Sequence, residues 1–276
     1  MRLQVSHVTR YTYSGPISET HMEVRLRPAD EFGQRVEEFE LEVLPETAVR
    51  HYVDGFGNHV HYFDHLPPHD LVQLTGRSVV ETGLDGSRRR RADEETPENP
   101  PEDFLLFRPP VVDTPGVHRL ARRHLPPEPG RAAAVEAALN DLTVAISRDF
   151  EYRPETTTVT TAVDEVLRLR SGVCQDFAHL FIAAARAMGV PARYVSGYVY
   201  SGSGGMSVGA SHAWAEAWVP GRGWLGYDAT HPVRAGEQHV RVAVGRDYRD
   251  AAPTRGVYVG AARGQLDVRV EITPVP

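Results

Sequence analysis

The 276-residue chain has one cysteine and no lysine. A lone cysteine excludes an intramolecular disulfide, so nothing in the sequence calls for an oxidising compartment. The start, MRLQVSHVTRYTY, lacks the apolar stretch of an export signal. No apolar run approaches the roughly 20 residues that cross a bilayer, so the expectation is a cytoplasmic protein with no membrane contact. All 30 basic residues are arginine, set against 37 acids, and the net charge of −7 argues against a general nucleic-acid binder. Hydrophobic and charged fractions of 41% and 24% are ordinary for a folded protein, long enough for one large domain or two modest ones.

What is present centres on the one sulfur. In the stretch SGVCQDFAHLFIAAARAMG, residues Phe177, Leu180, Phe181, Ala184 and Met188 recur at steps of three and four, the period of a helix buried along one face. Cys174 then occupies the first turn of that helix, where unpaired N–H groups carry partial positive charge and favour a thiolate; Gly172 lets the backbone turn in front of it. Free cysteines also pack inertly as small hydrophobes. The downstream stretch SHAWAEAWVPGRGWLGYDATH weighs against that alternative, because it supplies His212 and then Asp228. A thiol nucleophile needs an imidazole to take its proton, and the imidazole needs a carboxylate to hold its orientation.

The sequence divides into a β-rich unit over 1–85, a polar linker over 86–103 and a second unit over 104–276. In the first, Leu3, Val5, Thr9, Tyr11 and Tyr13 alternate with their neighbours, as do Met22, Val24 and Leu26, and Phe39, Leu41 and Val43. Turn residues at Ser14-Gly15-Pro16 and at 54–58 suit an antiparallel sandwich or small barrel. Nothing in this unit has the pattern of a catalytic site. His51, His59, His61, His65 and His69 crowd one span, but no cysteine accompanies them and the spacing does not chelate, so they are read as surface histidines rather than a metal site. The run Arg88–Arg91, followed at once by acids, reads as solvated linker.

The second unit opens with helices over 113–125 and 130–148, the latter with Val135, Ala138, Leu139, Leu142 and Ile146 in one stripe. Thr161 with Asp164 three residues later forms a capping-box signature for a short helix that ends near Arg170. A strand over 192–200 follows the cysteine helix. The glycine-rich 201–209 reads as a flexible connection, with a lid as the alternative. His212, Trp214, Glu216 and Trp218 share one strand face, predicting an aromatic wall beside the thiol. Ala213, Ala215 and Ala217 on the other face leave room for a helix. Trp224 to Asp228 returns alongside. The alternating segment Leu266 to Ile272 is expected to complete the sheet of this unit, making an α+β fold.

Four segments together resemble the transglutaminase-like superfamily of papain-type cysteine enzymes, in particular its bacterial two-domain proteins with a β-rich N-terminal region. They are residues 171–179 (SGVCQDFAH), 192–198 (ARYVSGY), 212–216 (HAWAE) and 226–230 (GYDAT), and the similarity runs over at least 150–248. The resemblance implies a transglutaminase-like catalytic domain with the cysteine helix packed on an antiparallel sheet. It assigns Cys174 as nucleophile, His212 as general base and acid, and Asp228 as orienting carboxylate. The chain departs from the family's usual Asp-Pro-Thr-Asn at Asp228-Ala229-Thr230-His231. Arg246, Asp247 and Tyr248 either line a pocket or form a structural loop.

The chemistry expected is acyl transfer at an amide or peptide carbonyl through a Cys174 thioester, with no metal or organic cofactor required. The N–H of Cys174 is a natural oxyanion donor. Tyr152, Gln175 and Trp214 are by type the further substrate-contacting candidates, while Asp176 and His179 read as supporting or merely helical residues. The partner would be a peptide or protein bearing an amide. Water as acceptor makes the chain a protease or amidase, an amine makes it a transglutaminase, and a non-catalytic binding domain is the third reading. Lacking lysine, the chain could not crosslink itself through lysine side chains.

Overall fold

A computed structural model describes residues 1–31, 33–84, 102–202 and 211–276. The arginine run Arg88–Arg91 and most of the connection 201–209 lie outside these residues.

The alternating N-terminal sequence forms six strands: β1 (Arg2–Ile17), β2 (Glu19–Val24), β3 (Arg35–Leu44), β4 (Arg50–Val53), β5 (His59–His65) and β6 (His69–Glu81). After a 3-10 turn at Glu102–Leu105 come α1 (Pro115–Arg122), α2 (Ala132–Asp149), β7 (Glu151–Tyr152), α3 (Val163–Leu169), β8 (Ser171–Gly172) and α4 (Cys174–Ala187). The chain continues through β9 (Ala192–Val199), β10 (His212–Val219), β11 (Gly223–Asp228), β12 (Val233–Arg234), β13 (His239–Gly245), α5 (Tyr248–Ala251), β14 (Thr254–Val259) and β15 (Gly264–Pro274). The result is the α+β fold expected, an antiparallel N-terminal sandwich joined to a helix-on-sheet unit.

The C-terminal strands depart from expectation. β15 pairs with β1 over Leu3↔Pro274 to Tyr13↔Gly264, and β14 pairs with β2. The sandwich sheets therefore run β15-β1-β6-β3 and β14-β2-β5-β4, while the second unit keeps β12-β11-β10-β9-β13. Residues 254–274 thus complete the first unit, not the sheet of the second, and the 104–276 grouping is corrected at its C-terminal end. Alternation marks a strand, but its partner is a non-local choice that local pattern does not carry.

Sandwich residues Met22, Val24, Leu26, Phe63, Val72 and Leu74 fill one core. A second core joins Leu3, Val80 and Ile272 from the outer face of the first sheet to the packing of α4, β9 and β10. The two units also share hydrogen bonds along β13, the buried last strand of its sheet. Asn58 donates from Nδ2 to the Val244 carbonyl (2.8 Å) and accepts the Val244 N–H at Oδ1 (2.7 Å). Gln34 does the same for Arg241, donating to its carbonyl (2.7 Å) and accepting its N–H (2.8 Å). Side-chain amides thereby satisfy an edge strand that would otherwise offer unpaired groups.

At the helix starts, Thr114 caps α1 by accepting the Val117 N–H, with Pro115 at the first position. Thr161 does not cap α3. The N-cap is Ala162, and the Thr161 hydroxyl oxygen instead accepts the Thr158 N–H (2.8 Å).

Candidate active site

Cys174 begins α4, and the sequence before it is built to hold that start in place. Asp176 turns back to accept the Val173 N–H at Oδ2 (2.8 Å) and also takes the Thr157 hydroxyl (2.6 Å). Gly172 is required by this close approach, since a Cβ there would stand 2.7 Å from Asp176 Oδ2. Burial raises the Asp176 carboxyl above its ordinary pKa, partly offset by those two bonds. Gln175 donates to the Val159 carbonyl (3.2 Å), so the loop before α3 is tied twice to the first turn of α4. From Asp176 to Arg186 the helix is buried on all sides, wider coverage than the single stripe expected.

β10 carries His212 at its first position, and β11 ends on Asp228. The two strands pair from Ala215↔Tyr227 to Val219↔Gly223. This places His212 Nε2 2.8 Å from Asp228 Oδ2. Cys174, at the start of α4, is near enough to His212 to raise the pKa of its imidazole. Of the three residues that sequence reasoning singled out, the imidazole and the carboxylate are hydrogen-bonded to one another, with Cys174 close by. Burial alone would lower the His212 pKa, but the bond to Asp228 and the nearby Cys174 outweigh it and raise it to about 10. Ala213, Ala215 and Ala217 are buried against α4, as their small size predicted.

Asp228 is fully buried and serves as a hub. Besides His212, its Oδ2 receives His231 Nδ1 (3.0 Å) and His239 Nε2 (3.3 Å). Its Oδ1 accepts the N–H groups of Thr230 (2.9 Å) and His231 (3.3 Å). Burial would raise its pKa, and the three imidazoles reverse this and hold the carboxyl well below the usual carboxylate range. His231 and His239 were missed from sequence. The signal available was the density of histidine after Asp228, at 231 and 239, in place of the asparagine the family often carries.

The further candidates separate. Tyr152 is 52% exposed, and its phenol pKa is raised by burial first and then by the nearby Cys174 and Asp176, so it is the aromatic at the thiol's rim. Trp214 is only 2% exposed. It stacks behind His212 (6.2 Å between centroids) and packs with Val195, Val244 and Phe56. Of these two aromatics, Tyr152 is the exposed one and Trp214 the buried one. Gln175 is occupied in holding the Val159 loop.

His179 accepts the Tyr248 N–H (3.1 Å), and full burial lowers its pKa to about 3, so it is a neutral packing residue. Asp247, also fully buried, binds Arg108 (2.6 Å) and caps α5, and Arg246 pairs with Asp250 (2.9 Å). This segment is a structural loop. In the N-terminal histidine span, His51 Nε2 meets His59 Nδ1 at 2.9 Å, but among the described residues that span brings no three ligating atoms together. No helix among the described residues is long and apolar enough to cross a membrane.

Comparison with known proteins follows the same division. The family profile described as Transglutaminase-like superfamily matches residues 123–229, and that described as Bacterial transglutaminase-like N-terminal region matches residues 3–81. An uncharacterized protein of Mycobacterium leprae is 39% identical over 285 residues, covering 99% of this chain and 98% of the relative. An uncharacterized protein of Mycobacterium tuberculosis is 35% identical over 296 residues, covering 99% and 93%. A protein-glutamine gamma-glutamyltransferase of Pseudomonas aeruginosa is 34% identical over 94 residues, 30% of this chain and 14% of that protein. Among solved structures, a "Putative Cysteine Protease from Cytophaga hutchinsonii" shares the fold at TM-score 0.76 with 23% identity, covering 99% of this chain and 90% of that one.

Proposed function

Because the chain belongs to the transglutaminase-like superfamily, with the bacterial transglutaminase-like N-terminal region before its core, we propose that it performs cysteine-dependent acyl transfer at amide carbonyls, with water as the acceptor. The observation that carries this reading is the His212–Asp228 hydrogen bond beside Cys174, which begins a buried helix.

In that arrangement His212 takes the proton of Cys174 through Nδ1 while Nε2–H remains on Asp228, and the thiolate attacks the carbonyl of a peptide or protein amide. The oxyanion forms at the helix start, where the Cys174 N–H has no acceptor within α4. His212 then protonates the departing amine, leaving a thioester on Cys174, and an acceptor resolves it with proton transfer back through the imidazole. Asp228 fixes the tautomer throughout. Tyr152 supplies an exposed aromatic surface for the substrate chain beside the sulfur. The chemistry uses side chains and backbone alone.

Water is favoured as acceptor because the half-buried Cys174 and the exposed Tyr152 leave the thioester reachable from solvent. An amine acceptor is the second reading, favoured by the segment similar to the Pseudomonas aeruginosa gamma-glutamyltransferase. The first test is the rate of iodoacetamide alkylation against pH for the native chain and for His212→Ala; with one cysteine, the label reports Cys174 alone. Alkylation that stays fast well below about pH 8.5, and loses this in the variant, supports the thiolate and imidazolium pair. Ordinary titration in both proteins overturns catalysis in favour of a binding domain. Adding a primary amine to an amide-cleavage assay then separates the acceptors: product bearing the amine marks transfer, and its absence marks hydrolysis.

A further inference from the structure

The carboxylate end of the candidate triad has an arrangement that acyl transfer does not need. His212 Nε2, Asp228 Oδ2 and His231 Nδ1 all lie within 4.8 Å of one another, and they are the one such group among the described residues. They come from the start of β10, the end of β11 and the turn that follows it. We propose that these three atoms form a binding site for a borderline divalent transition ion of the zinc class, and that occupancy silences the thiol.

The donor set fits that class. Two imidazoles and a carboxylate are the ligands zinc takes in three-protein-ligand sites, with the fourth position left to water. The Oδ2 contacts of 2.8 and 3.0 Å need to open by only a few tenths of an ångström to reach the roughly 3.4 Å that separates ligands about 2.1 Å from a tetrahedral ion. The surroundings fix the carboxylate as outer-sphere partners do in metal sites: His239 Nε2 touches Oδ2, and the Thr230 and His231 N–H groups hold Oδ1. Access is open on one side, since the His231 side chain is 56% exposed while that of Asp228 is fully covered.

Occupancy changes what His212 can do. Its Nε2 would hold the ion, leaving Nδ1 as the single position for a proton. With Nδ1–H facing the sulfur, the imidazole has no lone pair to accept the Cys174 proton and no second proton to give a leaving group. The ion therefore competes with the working state of the triad without touching the sulfur, since in the acyl-transfer reading the thiol proton goes to Nδ1 and the ion takes Nε2. Silencing rests on the acyl-transfer reading, whereas binding does not.

The test is titration of the metal-free full chain with Co²⁺ and Zn²⁺ against a chromophoric chelator, on the wild type, Cys174→Ser, His231→Gln and His51→Gln. The expected result is one tight equivalent in the wild type, retained in Cys174→Ser and His51→Gln. The Co²⁺ spectrum should show ligand-field bands without a thiolate charge-transfer band. His231→Gln, at an exposed turn, should weaken binding by at least the roughly 10–100-fold seen when outer-sphere partners are lost. Three outcomes overturn the site: no stoichiometric binding by the wild type, loss of binding in Cys174→Ser with a charge-transfer band, or undiminished binding in His231→Gln. Cys174→Ser cannot turn over, so binding there is judged independently of catalysis. Zn²⁺ should slow alkylation of the wild type and not of His231→Gln; equal slowing of both overturns the coupling to the thiol.

Discussion

The two antiparallel regions of the molecule handle their faces differently. In the sandwich, β3 and β15 keep mostly exposed residues with only intermittent buried ones, so alternation in sequence maps onto wet and dry faces. In the five-stranded sheet, β10 and β13 are buried almost along their whole length, because α4 covers one face and the sandwich the other. Polar residues are consequently enclosed there. Glu216 lies between Arg193 (2.6 Å) and Arg241 (3.3 Å); burial would raise its pKa, and the two guanidinium groups hold it low. The same enclosure gives Asp228 a dry seat beneath His212. The sandwich thus serves as the second cover of the sheet that carries His212 and Asp228, as well as a neighbouring fold.

The comparison can be pressed hardest at the carboxylates. Asp228→Asn removes the charge that orients His212, and the rate of amide cleavage should fall by about 10³–10⁴-fold with the fold intact by circular dichroism. Asp176→Asn, on the helix side, should leave the reaction within about tenfold while lowering the melting temperature, because Asp176 holds the helix start and contacts no reacting atom. Equal losses in the two variants would erase the distinction between a charge that steers the imidazole and one that braces the backbone.

Acid probes the seam between the two regions. His7 of β1 lies at that seam, bonded through Nδ1 to the Tyr198 hydroxyl (2.9 Å) and through Nε2 to Thr9 (2.9 Å), and burial lowers its pKa to about 4. His179 within α4 is lowered to about 3, burial being the main cause, with Asp247 opposing it and Arg186 and Arg249 adding to it. Both folded values lie below the ordinary 6.5, so the unfolded chain binds more protons. Their stabilisation is complete above about pH 6.5 and is lost as pH falls toward 4 and 3. At about pH 4.5 each should have given up roughly 2–3 kcal/mol, measurable by urea unfolding at the two pH values. His7→Gln should flatten that pH dependence. A slope unchanged in His7→Gln would mean that the seam is not sealed by a neutral imidazole.

Much of this was legible because local pattern and packing agree. The three-and-four spacing after Cys174 placed α4, the alanines of β10 forecast the helix against them, and His212 and Asp228 fell at strand ends where their side chains converge. The destination of β15 was not legible, since its pairing with β1 is settled by a partner some 260 residues away in sequence. The triple-imidazole hub was missed for a similar reason: His239 reaches Asp228 only because β13 folds back beside β9, an adjacency that strand order, not spacing, creates.

Helix caps bring the smallest effect and the finest version of the same lesson. Thr114 and Thr161 carry the same residue type ahead of helical sequence, and by pattern Thr161 was the better cap because Asp164 completes the box. In the fold, Thr114 accepts the Val117 N–H with Pro115 behind it, while Thr161 has spent its oxygen on the turn at Thr158. Thr114→Ala should therefore destabilise by about 1 kcal/mol and Thr161→Ala by less than about 0.5 kcal/mol, read from denaturant midpoints at constant slope. The reverse order would mean that the box signature outweighs the competing turn, and that α3 starts one residue earlier than its backbone indicates.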